Sequence, residues 1–74
     1  MEIGELIWQS RMPGGICILI EIWDDREEYK KQLNERLPEA GDPIWGEHDF
    51  PILRIFHPAE GLIEDPSYYY EELS

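Results

Sequence analysis

The sequence predicts a mostly β domain, a small antiparallel sheet curled into a partly open barrel of about four strands, with one helix inserted between its two hairpins. Three observations carry this. Residues 4–11 and 15–23 alternate in strand fashion and meet at Met12-Pro13-Gly14-Gly15, where proline presets φ and the glycines accept positive φ. Residues 52–57 and 61–64 form a second such pair across Pro58-Ala59-Glu60-Gly61. Between the pairs the apolar period changes from two to four over residues 25–37, as a helix requires.

Each element has its own reason. In residues 4–11, Leu6, Trp8 and Ser10 take one side and Ile7, Gln9 and Arg11 the other, a pattern with one wet face. In "GICILIEIW", Ile16, Ile18, Ile20 and Ile22 share one face and Cys17, Leu19, Glu21 and Trp23 the other. β-branched residues at that density favour a strand, and two apolar faces mark it as the central one. The helix expected at about 25–37 opens with Asp24 or Asp25 as N-cap, carries Glu27 and Glu28 in the dipole-favoured first turn, and ends at Pro38. Its stripe of Tyr29, Leu33 and Leu37 is narrow, so one edge only lies against the domain.

Pro43, Gly46 and Pro51 break the following loop, which is expected to tuck Ile44, Trp45 and Phe50 beneath it. Ile52, Arg54 and Phe56 then alternate with Leu53, Ile55 and His57. Asp65-Pro66 is expected to stop the last strand, after which Ser67 caps a short helical turn at about 67–73. In that turn Tyr69 and Leu73, four apart, would plug the open barrel and leave Tyr68 and Tyr70 towards solvent.

The 74 residues fit a single small domain, 1–74, in which only about 60% of the unfolded chain's surface is buried. Cys17 is the sole cysteine, which excludes an internal disulfide and a Cys-rich zinc site. The longest apolar run, Ile16–Ile20, is far short of a membrane span, and Glu2 and Glu5 stand where a targeting peptide carries basic residues. The expectation is a soluble, cytoplasmic protein.

Seventeen acids against six bases give a net charge of −11, of which −8 falls in residues 38–74. Counterion release cannot favour such a chain on nucleic acid or anionic lipid, so neither direct nucleic-acid binding nor a membrane is expected. The charge serves solubility or imitates a nucleic-acid backbone.

Catalysis is not expected. Cys17 lies between Ile16 and Ile18, where burial raises a thiol pKa and makes it inert. Glu47, His48 and Asp49 are adjacent, and adjacent residues rarely converge on one ion, so no metal or other cofactor is expected. Asp24, Asp25, Glu27 and Glu28 read as helix-start acids. No phosphate-binding loop, nucleophile elbow or dinucleotide fingerprint occurs.

"IGELIW" followed by "GGICILIEIW", then "ILRIFHPAEGLIE" and "YYYEEL", resembles the small SH3-like or KOW-like barrels that tailed phages encode as short proteins of unknown function. The resemblance covers roughly half the chain in three pieces. The segment from Asp24 to Gly46 is long for such a barrel, and the chain stops where relatives run a final strand back beside the first. The resemblance implies a non-catalytic binding module, placed in the host cytoplasm or in the virion.

The nine aromatics supply the candidate site. The tryptophans are read mainly as core, whereas three consecutive tyrosines cannot all be buried on one element. An interaction site for another protein is therefore expected at Tyr68, Tyr70, Trp45, Glu64, Asp65, Glu71 and Glu72. A second copy of the chain is a further candidate partner. In the alternative reading the protein is a DNA-mimic inhibitor of a basic nucleic-acid-binding protein, with Glu60, Glu64, Asp65, Glu71 and Glu72 standing in for phosphates.

Overall fold

The computed structural model describes residues 1–73. Five strands form one antiparallel sheet: β1 (Leu6–Gln9), β2 (Gly15–Trp23), β3 (Ile52–His57), β4 (Gly61–Pro66) and β5 (Tyr70–Glu72). Their order across the sheet is β4-β3-β2-β1-β5, consistent with a small, partly open SH3-like barrel. The expected central strand is indeed β2, which pairs with β1 through residues 15–18 and with β3 through residues 18–23. The helix α1 (Arg26–Arg36) starts where Asp25 accepts a hydrogen bond from the Glu27 N–H at 3.1 Å.

The fifth strand corrects the expectation of about four. Residues 67–73 do not form one helical turn: Ser67–Tyr69 make a 3₁₀ turn, and the chain then extends as β5. The reason is backbone pairing, since β1 would otherwise leave its outer edge open, and β5 fills it with Gln9 opposite Tyr70 and Ile7 opposite Glu72. Nor does Asp65-Pro66 stop β4, which runs to Pro66 because an edge strand tolerates a residue without an N–H.

A bulge at Ile20 re-aims β2. Leu19 pairs with Ile55, but the next pair is Glu21 with Arg54, so one extra residue is inserted. Beyond it the faces exchange. Ile22 turns inward with Cys17 and Leu19, while Glu21 and Trp23 join Ile16 and Ile18 on the outer face, which corrects the strict alternation expected for this strand.

Two apolar clusters result. Inside the curl lie Ile7, Cys17, Leu19, Leu53, Ile55 and Tyr70, all at most 5% exposed. On the outer face, Trp23 and Ile52 meet Tyr29 of α1, with Leu33, Trp45 and Phe50 packed around them. The rings of Trp23 and Tyr29 meet edge to face at 5.1 Å, and those of Tyr29 and Phe50 at 5.7 Å. Trp45 and Phe50 tuck in as expected. Ile44 does not, at 87% exposed, and Leu37 at 60% lies past the last helical turn, out of reach of the sheet.

The sheet ends at β4 and β5 are joined by a buried polar latch. Tyr70 Oη donates to Asp65 Oδ2 at 2.7 Å, and Gln9 Nε2 donates to Tyr70 Oη at 3.1 Å. Arg11 Nε donates to the same Asp65 oxygen at 3.1 Å. Gln9 Oε1 accepts from the Gly14 N–H, which ties the β1–β2 turn to the latch. The Gly14 carbonyl in turn accepts from His57 Nε2 at 2.8 Å, while His57 Nδ1 accepts from the Ala59 N–H. His57 is thus fixed as the Nε2–H tautomer, holding both hairpin turns together. No buried side-chain polar atom among the described residues lacks a partner.

Tyr70→Phe removes the hydroxyl shared by Asp65 and Gln9 and is expected to cost about 1–3 kcal/mol in urea denaturation. Tyr70→Ala also empties the interior and is expected to cost about 3–5 kcal/mol. Equal urea midpoints for Tyr70→Phe and the wild type would show that the latch contributes nothing.

Candidate interaction face and its charged border

Register places the outer-face side chains in rows. Leu6 lies opposite Ile18, Ile18 opposite Phe56, and Phe56 opposite Leu62, one unbroken apolar row across four strands. Trp8 and Ile16 form the start of a second row beside it. These six side chains are between 40% and 63% exposed. Together they make one contiguous apolar patch on the outer face.

The third row is charged and divides the face. Arg54 stands between Glu21 on β2 and Glu64 on β4. Its Nη2 reaches Glu64 Oε2 at 2.8 Å and its Nη1 lies 3.6 Å from Glu21 Oε1. The guanidinium also lies over the Trp23 ring, 5.2 Å from its centroid. Tyr29 Oη donates to Glu64 Oε1 at 2.6 Å, and Arg36 approaches Glu64 from the helix at 3.5 Å. Beyond this row, α1 and the loop after it cover the sheet. On the other side nothing within residues 1–73 does.

Glu64 is accordingly strongly held. Burial works to raise its pKa, but hydrogen bonds from Tyr29 and Arg54, with the charges of Arg54 and Arg36, outweigh it and hold the carboxyl below its ordinary value. Tyr29 is pushed up to about 12, by burial first and then by its bond to the Glu64 carboxylate. Cys17 is 1% exposed and its thiol is raised by burial, as a packing residue's would be.

The residues singled out from the sequence do not converge on one site. Tyr68 is 59% exposed, and its hydroxyl donates to Asp49 Oδ1 at 2.7 Å. That bond, first, raises the Tyr68 pKa to about 12 and lowers that of Asp49, which also accepts from the Gly46 N–H. Tyr70 and Asp65, in contrast, are buried at 5% and 6% and form the latch. Tyr70 is the residue that plugs the barrel; Tyr69 is only partly buried and Leu73 is 49% exposed, because β5 rather than a helix sets which side chain points inward. Trp45 is half-buried beside Tyr29, and its carbonyl accepts from Arg26 Nε at 2.9 Å. Glu64 sits in the charged row.

Glu71 and Glu72 are exposed on β5, Glu71 opposite Trp8 and Glu72 paired with the Met1 ammonium at 2.6 Å. Of the expected set, Glu71 and Glu64 border the apolar patch, from opposite sides, and only Glu71 is free of an ion pair among the described residues. The patch is hidden in the sequence because β2, apolar on both faces up to Glu21, suggests burial on both. The available signal was the helix: a stripe of three residues is too narrow to cover an outer face five strands wide.

Among the described residues, no group of three or more His, Cys, Asp or Glu side chains is placed to hold a metal ion, and no helix is long and apolar enough to cross a membrane. Compared with models of known protein families, with curated proteins and with solved structures, the chain matches none of them.

The pKa shifts set a stability window. Glu64 is depressed in the fold, so its contribution is present above the ordinary value of 4.5 and is lost as pH falls through the lower folded value. Tyr29 is raised, so its contribution is complete below 10 and is lost as pH rises towards about 12. Glu64→Gln is expected to cost about 1–3 kcal/mol at neutral pH and to flatten the acid limb of a stability-against-pH curve. An acid limb unchanged in slope would remove Glu64 as its cause.

Proposed function

We propose that this protein is a non-catalytic protein-interaction module that engages its partner through the bare apolar half of its outer sheet face. The observation that carries the reading is the row Leu6–Ile18–Phe56–Leu62, with Trp8 and Ile16 beside it, left uncovered while the rest of the same face is sealed by α1. Such a patch offers rigid, preformed strand-borne side chains, including two aromatics, which suit an interface centre. Its resemblance to small phage-encoded barrels supports placing it as an accessory or virion-associated protein.

The DNA-mimic alternative draws less support. Two of the five acids it needs, Glu64 and Asp65, are bonded to arginines within the fold, and Glu72 meets the N-terminal ammonium. The apolar row needs no such redistribution.

A photo-crosslinking residue at position 18, on the patch, compared with one at exposed Lys31 on α1, tests the reading in lysate of the native cell. The expected outcome is a discrete protein adduct from position 18 only, reduced about tenfold when Phe56→Ser and Leu62→Ser are added. Those positions are half-exposed, so the fold survives their change. The same adducts from both positions, or none from position 18, would remove the face as a docking site.

A further inference from the structure

We infer that the occupant of the apolar face is a protein surface with an apolar centre and a basic rim, rather than a second copy of this chain. This rests on the reading of the face as a docking site and adds the chemistry of what docks there. Acidic side chains stand at two borders of the patch. Glu71 stands opposite Trp8 on the β5 side, and Glu60 stands in the turn that links the strands of Phe56 and Leu62. The charged row that borders the patch towards the helix is balanced by contrast, with Arg54 between Glu21 and Glu64 and Arg36 reaching Glu64 from α1.

Glu60 and Glu71 have no ion-pair partner among the described residues. Of the chain's six basic side chains, Arg11, Lys30, Arg36 and Arg54 are paired with carboxylates. Arg26 is turned to the carbonyls of Trp45 and Pro43, and Lys31 lies out on the helix. An approaching surface therefore meets apolar side chains flanked by Glu60 and Glu71, two carboxylates that no ion pair among the described residues engages. A second copy would bring a net −11 against −11 and the same acids against one another, which opposes self-association. Lysine or arginine at the rim of a partner would instead be attracted during approach and matched on contact. Nucleic acid and anionic membranes are repelled by the same field.

The test uses the full chain, isotopically labelled, and three short peptides: alternating leucine and lysine, alternating leucine and glutamate, and alternating serine and lysine. The leucine–lysine peptide is expected to shift the amides of residues 6–8, 16–18, 56 and 62, with affinity falling about tenfold on moving from low salt to about 0.5 M. Phe56→Ser is expected to lower that affinity about tenfold, and Glu60→Gln with Glu71→Gln to lower it while reducing its salt dependence. The other two peptides are expected to leave the face unshifted.

Equal binding of the leucine–glutamate peptide would overturn the basic rim and leave the docking face standing. An identical footprint from the serine–lysine peptide would show mere charge attraction and overturn the inference, as would the absence of any shift. A dimer by light scattering that Phe56→Ser dissociates would assign the face to a second copy instead. Failure of the crosslinking at position 18 is a separate result, and it would remove the docking face itself.

Discussion

The fold depends on the Asp65 carboxylate. A sheet of order β4-β3-β2-β1-β5 has two free ends, and this carboxylate, on one end strand, accepts the hydroxyl of Tyr70 on the other. Arg11 balances its charge, and Gln9 completes the hydroxyl's bonding. A buried charge so satisfied is a specificity device more than a source of raw stability, because alternatives that separate these groups leave one of them unpaired. It selects β5 beside β1 over a loose tail, and with that choice Tyr70 enters the core while Glu71 and Glu72 face out.

The second constraint is the single inserted residue at Ile20. Without it, Trp23 would point into the curl and Ile22 outward. With it, β2 contributes to both clusters: Cys17, Leu19 and Ile22 inside, and Trp23 outside under α1. The same shift sets Glu21 beside Arg54, which creates the charged row at the edge of the helix-covered region. The outer face is thus divided into a sealed half, a charged border and a bare half, and all three follow from one bulge and one short helix.

Charge and apolar surface are complementary here. A bare apolar patch on a small protein invites self-association, and a net charge of −11 opposes it by like-charge repulsion. The arginines sit largely within the fold's own ion pairs, so the surplus of acids stays on the surface, around the patch as well as elsewhere. Surface field and patch then act on different properties of a partner, its rate of approach and its fit.

Much of the fold was legible from residues alone, because local periodicity and turn chemistry decide it. Pro13-Gly14-Gly15 and Gly61 announce the hairpins, β-branched density marks β2 as central, and Asp25 with Glu27 and Glu28 opens the helix. Composition likewise determined the acidic surface. Only tertiary structure could decide which of Tyr68, Tyr69 and Tyr70 turns inward, because all three have the same local chemistry and the pairing of β5 with a strand sixty residues earlier chooses among them. It also decided which apolar face is bare. Alternation places Leu6, Ile18 and Phe56 on one side of their strands, and the narrow stripe of α1 signals that part of a face stays bare, but which part depends on where α1 lands, a long-range packing outcome.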